Sequence, residues 1–282
     1  MSVKEGREGF TFGCDPEVFI VNDKGEYVSA AGLIPGTKAE PHRIGNIAVQ
    51  VDGMAAEFNI DPVVTFADFN RRIEEARATL RAFLPTGHDL AIVPAVVFSE
   101  EAFNSAPDEA KALGCDPDFD AWSGDVFPPP GMIENPFMRC AGGHLHIGWK
   151  GLGEDFDLGD SQHILNCRDM AKQLDWHIGA YSVRIDNDPT RRRLYGKAGA
   201  YRPKPYGVEY RTLSNFWITS RDRRLQIWNR VQEAIRNMRD KFYPELYPNA
   251  NSIVIQSIND TQRNSFLEEN FYRPIVSVGS RF

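Results

Sequence analysis

The sequence predicts an α+β fold built on antiparallel hairpins. Three observations carry that prediction: apolar runs joined by short turns, helices apolar on one face only, and no regular strand–helix alternation of the kind that builds a parallel sheet. Residues 10–20 read as a strand, Asn22-Asp23-Lys24-Gly25 as a turn and Glu26-Tyr27-Val28 as the return. Residues 44–51, the turn pair Asp52-Gly53 and residues 54–60 make a second hairpin. Across 65–84, Phe69, Ile73, Ala76, Leu80 and Phe83 recur at three- and four-residue steps with Arg and Glu between them, which predicts an amphipathic helix. Residues 90–98 read as a buried strand. The stretch 99–139 is irregular, with a break at Pro128-Pro129-Pro130-Gly131, and is too long for a simple connection, so a covering loop is expected there. Strand sequence returns at 140–149. A helix follows over 161–181, then strands near Val183 and over 208–213. Ser220 is placed to cap a long helix whose apolar stripe is Leu225, Trp228, Val231, Ile235 and Met238. The tail from Pro244 is mixed and ends in Pro274-Ile275-Val276-Ser277-Val278. No low-complexity linker divides the chain. One domain over 1–282 is therefore expected, with 99–139 as a candidate lid and 219–282 as a helical C-terminal part.

Composition narrows the function classes. With 282 residues, 42% hydrophobic and 25% charged, the chain has ample material for a core. No apolar run approaches the roughly 20 residues of a membrane span. The opening MSVKEGREGF lacks the apolar stretch of a secretory signal, so a cytoplasmic location is expected. Cys14, Cys115, Cys140 and Cys167 are far apart with no C-x-x-C pair, and disulfides are not expected. A net charge of −7 disfavours general nucleic-acid binding through phosphate contacts. The charge is uneven, however. Residues 181–211 hold six arginines and two lysines against Asp186, Asp188 and Glu209, a local balance of +5. Such a segment reads either as a solvated basic face or as an anion site, for which a nucleotide polyphosphate is one candidate.

Four stretches carry the chemistry. Asp15-Pro16-Glu17 lies within a strand pattern, where residues two apart share a face. Two carboxylates on an inward face need a cation or a proton, whereas on an edge strand they are simply solvated. Glu57, in Ala56-Glu57-Phe58-Asn59, sits between small and aromatic residues, either as a cation ligand or paired with an arginine beside the core. In Gly142-Gly143-His144-Leu145-His146, the two histidines are again two apart. H-x-H is a metal-ligand spacing, a histidine of this kind can also bind a substrate carboxylate, and the paired glycines admit a close neighbour. Glu209 and Arg211 alternate onto one strand face, where one can complete a cation site and the other clamp a phosphate. Tyr195-Gly196-Lys197-Ala198-Gly199 resembles a glycine-containing phosphate loop without the Walker A pattern, and no Rossmann fingerprint, G-x-S-x-G elbow or kinase set is present.

Taken in order, G-C-D-P-E-x-F, A-E-F-N, G-G-H-x-H-x-G and Y-G-x-x-G-x-Y-R-x-K-x-x-G-x-E-Y-R resemble the phage-encoded type 2 carboxylate–amine ligases (amidoligases) of the glutamine synthetase and glutamate–cysteine ligase superfamily. The resemblance spans about residues 10–217. It implies a glutamine synthetase-like antiparallel sheet forming a funnel with flanking helices, which holds ATP and two or three magnesium ions, with manganese as a substitute. By resemblance, Glu17 and Glu57 would share one ion, and Asp15, His144 and Glu209 would hold a second against the nucleotide phosphates. His146 would lie on the substrate side and Arg184 would grip the acceptor carboxylate. Arg211, with Arg192 or Arg202, would neutralise the transferred γ-phosphoryl group, and Lys197 would join these arginines in contacting ATP. The chain departs from its larger relatives in having Asp15 where the first strand usually carries Glu. It also lacks a clear second carboxylate before Glu57, for which Asp52 and Gln50 are the substitutes. The implied activity is ATP-dependent amide formation between small-molecule or peptide carboxylates and amines. A guanidino-kinase-like phosphotransferase, a metal-dependent hydrolase built on His144 and His146, and a non-catalytic binding protein are the alternatives.

Overall fold

A computed structural model describes residues 9–112, 117–128, 135–149, 157–240, 249–270 and 272. The opening eight residues, Cys115, the break at 129–131 and the tail at 274–278 lie outside them. The chain runs β1 (Thr11–Cys14), β2 (Glu17–Asn22), β3 (Tyr27–Val28), β4 (His42–Ile44), β5 (Ile47–Asp52) and β6 (Ala55–Ile60), then the Phe66–Phe83 helix. There follow β7 (His88–Ala91), β8 (Ala95–Val97), β9 (Phe119–Asp120), β10 (Met138–Cys140) and β11 (Leu145–Gly148), the Ser161–Leu174 helix, β12 (Ala200–Lys204), β13 (Gly207–Tyr210) and the Arg221–Arg239 helix. All strand pairings among the described residues are antiparallel. One sheet is ordered β1-β11-β13-β12-β9, a second β3-β2-β6-β5-β4 with β7 also on β2, and β10 pairs with β8. The α+β architecture with antiparallel sheets is therefore present. Among the described residues no helix is long and apolar enough to cross a membrane.

Alternation along the strands separates core from pocket. Val18 and Ile20 of β2, Phe58 and Ile60 of β6, Leu145 and Ile147 of β11, and Val208 and Tyr210 of β13 join one buried cluster with Phe69, Ile73, Met170, Leu174, Ile227 and Val231 of the helices. Successive strand side chains point to opposite faces, so Glu17, Glu57, His146 and Glu209 are turned away from that cluster.

The helix at 66–83 begins as its sequence dictates, with Thr65 Oγ1 accepting from Asp68 N at 3.1 Å. Phe69, Ile73, Ala76 and Leu80 are buried, while Phe83 at the end of the stripe stays exposed. Ser220 caps the next long helix by accepting from Arg223 N at 3.2 Å. Arg224 ties the two helices: it donates to Asn70 Oδ1 at 2.9 Å and Ile218 O at 2.6 Å, and pairs with Glu74. Removing one cap measures the local contribution. Ser220→Ala is expected to lower the unfolding free energy by about 1 kcal/mol in urea denaturation, and an unchanged midpoint would show that the hydroxyl is dispensable.

Four expectations are corrected. The strand at 10–20 breaks at Asp15-Pro16, because proline cannot donate to a ladder; β1 belongs to the first sheet and β2 to the second. Residues 140–149 also divide, β10 ending at Cys140 and β11 starting at Leu145. Val183 lies in the turn that ends the helical stretch, not in a strand. Residues 99–139 are not simply irregular. They contain the Glu100–Ser105 and Asp108–Lys111 helices, and β9 pairs with β12 as an edge strand. Asp175 anchors that edge. It lies at the start of a π-helical turn (Asp175–Gly179) and accepts from Trp122 Nε1 and from Tyr210 Oη, each at 2.6 Å.

Candidate active site

The pocket lies where the two sheets meet, and the strand register builds it. In the first sheet Gly13, His146, Glu209 and Arg202 are cross-strand neighbours in one row. In the second, Glu17, Glu57 and Gln50 form another. Asp15-Pro16-Glu17 is the crossover between rows, held by Glu17 N donating to Gly142 O at 2.9 Å and Phe58 N to Pro16 O at 3.2 Å. The paired glycines permit the approach: a Cβ on Gly143 would lie 2.3 Å from Ser214 O, and one on Gly142 would lie 2.3 Å from His144 Nε2.

Two groups of ligand atoms converge, each within 4.8 Å: Asp15, His146 and Glu209, and Glu17, Asp52 and Glu57. The pocket around them is lined by six carboxylates (these five and Asp118) and six Lys/Arg side chains (Lys38, Arg139, Arg191, Arg202, Lys204 and Arg211), with His144. Such interleaving of signs suits a cation–polyanion pair better than either ion alone.

The first group is internally compensated. Asp15 Oδ1 lies 3.1 Å from His146 Nε2 and 3.3 Å from His144 Nδ1. Burial pushes the Asp15 carboxyl up, but the imidazoles of His146 and His144 outweigh it and hold it well below its ordinary value. Burial pulls His146 down, and Asp15 more than reverses that. Glu209 is lowered to about 2: burial and Asp15 raise it, and Arg211, His146 and His144 prevail. Its carboxylate pairs with Arg211 and, at 2.7 Å, with Lys204. Tyr206 Oη hydrogen-bonds His146 Nδ1 from the far side of the ring.

The second group is only partly compensated, by Lys38. Glu17 and Glu57 face each other in register, an arrangement that costs free energy between like charges. Burial raises Glu17. It raises Glu57 well above the ordinary carboxyl value, reinforced by Asp15, Glu17 and Asp52. Lys38 reaches Asp52 at 3.5 Å; although burial pulls its ammonium down, Asp52, Glu57 and Glu17 hold it above its ordinary value. Among the described residues Gln50 Oε1, buried beside Glu57, has no hydrogen-bond partner. Gly142 N donates to Glu17 Oε2 at 2.8 Å and Asn59 Nδ2 to Glu57 Oε1 at 3.4 Å. Three convergent carboxylates with one lysine among them still retain a surplus of acceptors and negative charge that fits a hard divalent cation.

The chain shares this fold with a known ligase. The bifunctional glutathione synthetase from Pasteurella multocida superposes with a TM-score of 0.54 over 91% of this chain at 12% sequence identity, and the chain spans 41% of that protein. No protein-family model and no curated protein sequence matches the chain.

Of the residues expected at the site, Asp15, Glu17, Glu57, His144, Glu209, Arg202 and Arg211 line one pocket, and His146 joins through Asp15. Three do not. Arg184 pairs with Glu268 at 3.1 Å and lies over the Tyr181 ring. Arg192 is buried on Ser182 Oγ at 2.8 Å and Asp186 O at 3.2 Å. Lys197 is absent from the lining, and its carbonyl accepts from Thr212 Oγ1. Arg191, not Arg192, lines the pocket, since it is the arginine of the Thr190–Leu194 helix that faces it. Lys38, Asp118, Arg139 and Tyr206 carried no motif, and the resemblance gives no role to Lys204, the lysine of R-x-K in the last motif. Lys204 alone had a readable signal, since it alternates with Arg202 along β12.

Proposed function

We propose that the chain is an ATP-dependent carboxylate–amine ligase. The observation that carries this reading is the pocket itself, in which two cation-ready carboxylate groups stand beside a cluster of arginines and lysines. The likeness of fold to a bifunctional glutathione synthetase supports it. Glu17, Asp52 and Glu57 would hold one magnesium ion, and Asp15, His146 and Glu209, with His144 beside them, another. Magnesium bound there supplies positive charge against the nucleotide phosphates.

The reaction needs these parts because a carboxylate is a poor electrophile. A carboxylate oxygen attacks the γ-phosphorus, the bond to the β-bridging oxygen breaks, and ADP leaves, giving an acyl phosphate. The amine nitrogen then attacks the acyl carbon, loses a proton, and the C–O bond breaks to release phosphate. Arg202, Lys204 and Arg211 are placed to meet the phosphoryl oxygens in the first step, where catalysis is positioning and charge neutralisation. Asp118 sets the two arginines, standing 3.0 Å from Arg202 Nε and 2.7 Å from Arg211 Nε.

The test is incubation with ATP, magnesium and pools of carboxylates and amines, followed by assay of ADP and of adduct mass. An amide whose formation needs both partners is expected. ADP formation that depends on no carboxylate, or a stable phosphorylated product, would refute ligation. Tyr206 supplies a second check. By fixing the His146 ring it should tighten cation binding, so Tyr206→Phe is expected to weaken manganese binding about tenfold in titration calorimetry. Unchanged affinity would remove His146 from the ligand set.

A further inference from the structure

The arginines of the pocket fall into two classes. Arg202 and Arg211 are already paired with carboxylates, through Asp118 and Glu209. Arg139 and Arg191 are not. Arg191 is 4% exposed and donates to two carbonyls, Thr212 O and Arg211 O, each at 3.0 Å. Arg139 is 7% exposed and donates to Pro136 O at 2.9 Å, Met138 O at 2.7 Å and Lys111 O at 2.5 Å, with its guanidinium over the Phe103 ring. Among the described residues neither forms an ion pair with a carboxylate, Arg191 feeling Glu17 only from beyond contact, and Arg139 Nε has no hydrogen-bond partner. Backbone carbonyls orient a guanidinium but do not neutralise it, and buried charges are normally paired. Both side chains line the pocket and flank Cys140, which lines it too.

We propose that Arg139 and Arg191 form an anion subsite at the Cys140 end of the pocket that holds a non-reacting carboxylate of a substrate. The co-substrate that carries it is either a dicarboxylic acid or an amino acid supplying the amine. This rests on the ligase reading for the word substrate, but the subsite itself follows from two buried, oriented cations that no carboxylate among the described residues pairs. The nucleotide phosphates are already served by Arg202, Lys204 and Arg211.

Cys140 provides a local reporter. It is partly accessible, while Cys14 and Cys167 are buried; burial raises its thiol to about 11, so alkylation by iodoacetamide is slow and easily timed. Peptide mapping separates it from the other cysteines. An anion on Arg139 and Arg191 should shield it, by about tenfold in rate at roughly ten times the dissociation constant. Protection by glutarate but not by neutral glutaramide assigns the subsite to the acid, and protection by glycine but not by ethylamine assigns it to the amine. Arg139→Gln should abolish the protection. No protection by glutarate or glycine, equal protection by glutaramide, or protection by inorganic phosphate alone would overturn the proposal on the wild-type protein, whatever the variant's stability. The assay contains no ATP and needs no turnover, so it can fail while ligation succeeds, and the reverse.

Discussion

Glu57→Gln is expected to abolish ligation while making the metal-free protein more stable near neutral pH. The activity loss, about 10²–10³-fold, follows from removing a charge that a phosphoryl-transfer site requires. The gain in stability follows from the same charge. Burial first, then Asp15, Glu17 and Asp52, hold the Glu57 carboxyl well above its ordinary value. Its contribution to stability is fully present below the unfolded pKa of about 4.3 and is lost as pH rises through the folded value. Glutamine cannot ionise, so the variant escapes that loss. Melting curves in EDTA should therefore place it a few degrees above wild type near pH 7 and close to it near pH 4. Magnesium should raise the wild type and leave the variant nearly unmoved. A variant less stable than wild type at both pH values would show that Glu57 is an ordinary paired side chain.

Glu209→Ala is expected to have the opposite effect. Glu209 is lowered to about 2 by Arg211, His146 and His144, acting against burial and Asp15. Its contribution is present above the unfolded value and is lost as pH falls through about 2. Removing it leaves Arg211 and Lys204 without their partner, at a cost of about 3–5 kcal/mol in urea denaturation at neutral pH. The deficit should shrink as wild type itself is acidified toward pH 2. A deficit that holds constant with pH would mean that the loss is one of packing. The two carboxylates of one pocket thus oppose each other in pH, because Glu209 has Arg211 and Lys204 on it while Glu57 faces Glu17 and has only Lys38, on Asp52, nearby.

Much of this arrangement was legible in the sequence, through side-chain period. Alternation alone puts Glu209 and Arg211 on one face and turns Val208 and Tyr210 to the other. It failed at Asp15-Pro16-Glu17, where period two assumes an unbroken strand; proline ends the ladder, and the carboxylates go to different groups. It also could not choose among Arg191, Arg192 and Arg193, since a short helix presents each in turn and only its packing decides which meets the pocket. Asp118 and Arg139 come from a stretch without period, brought in by pairings of β9 with β12 and β10 with β8 that no local pattern encodes. Arg184 illustrates the reverse error. The family resemblance put it on the acceptor carboxylate, but Glu268, eighty-four positions later, already supplies an anion.

Pro16 has a wider consequence. It is the sole residue between an acid of one group and an acid of the other, and it belongs to both sheets' margins. Two residues of extended chain span at most about 7 Å, and proline's ring removes most of the remaining play. The backbone at this crossover therefore works as a ruler. The spacing between the two acid groups is fixed by covalent geometry and not by side-chain reach, and neither group can be retuned for a larger ligand without dragging the other sheet along.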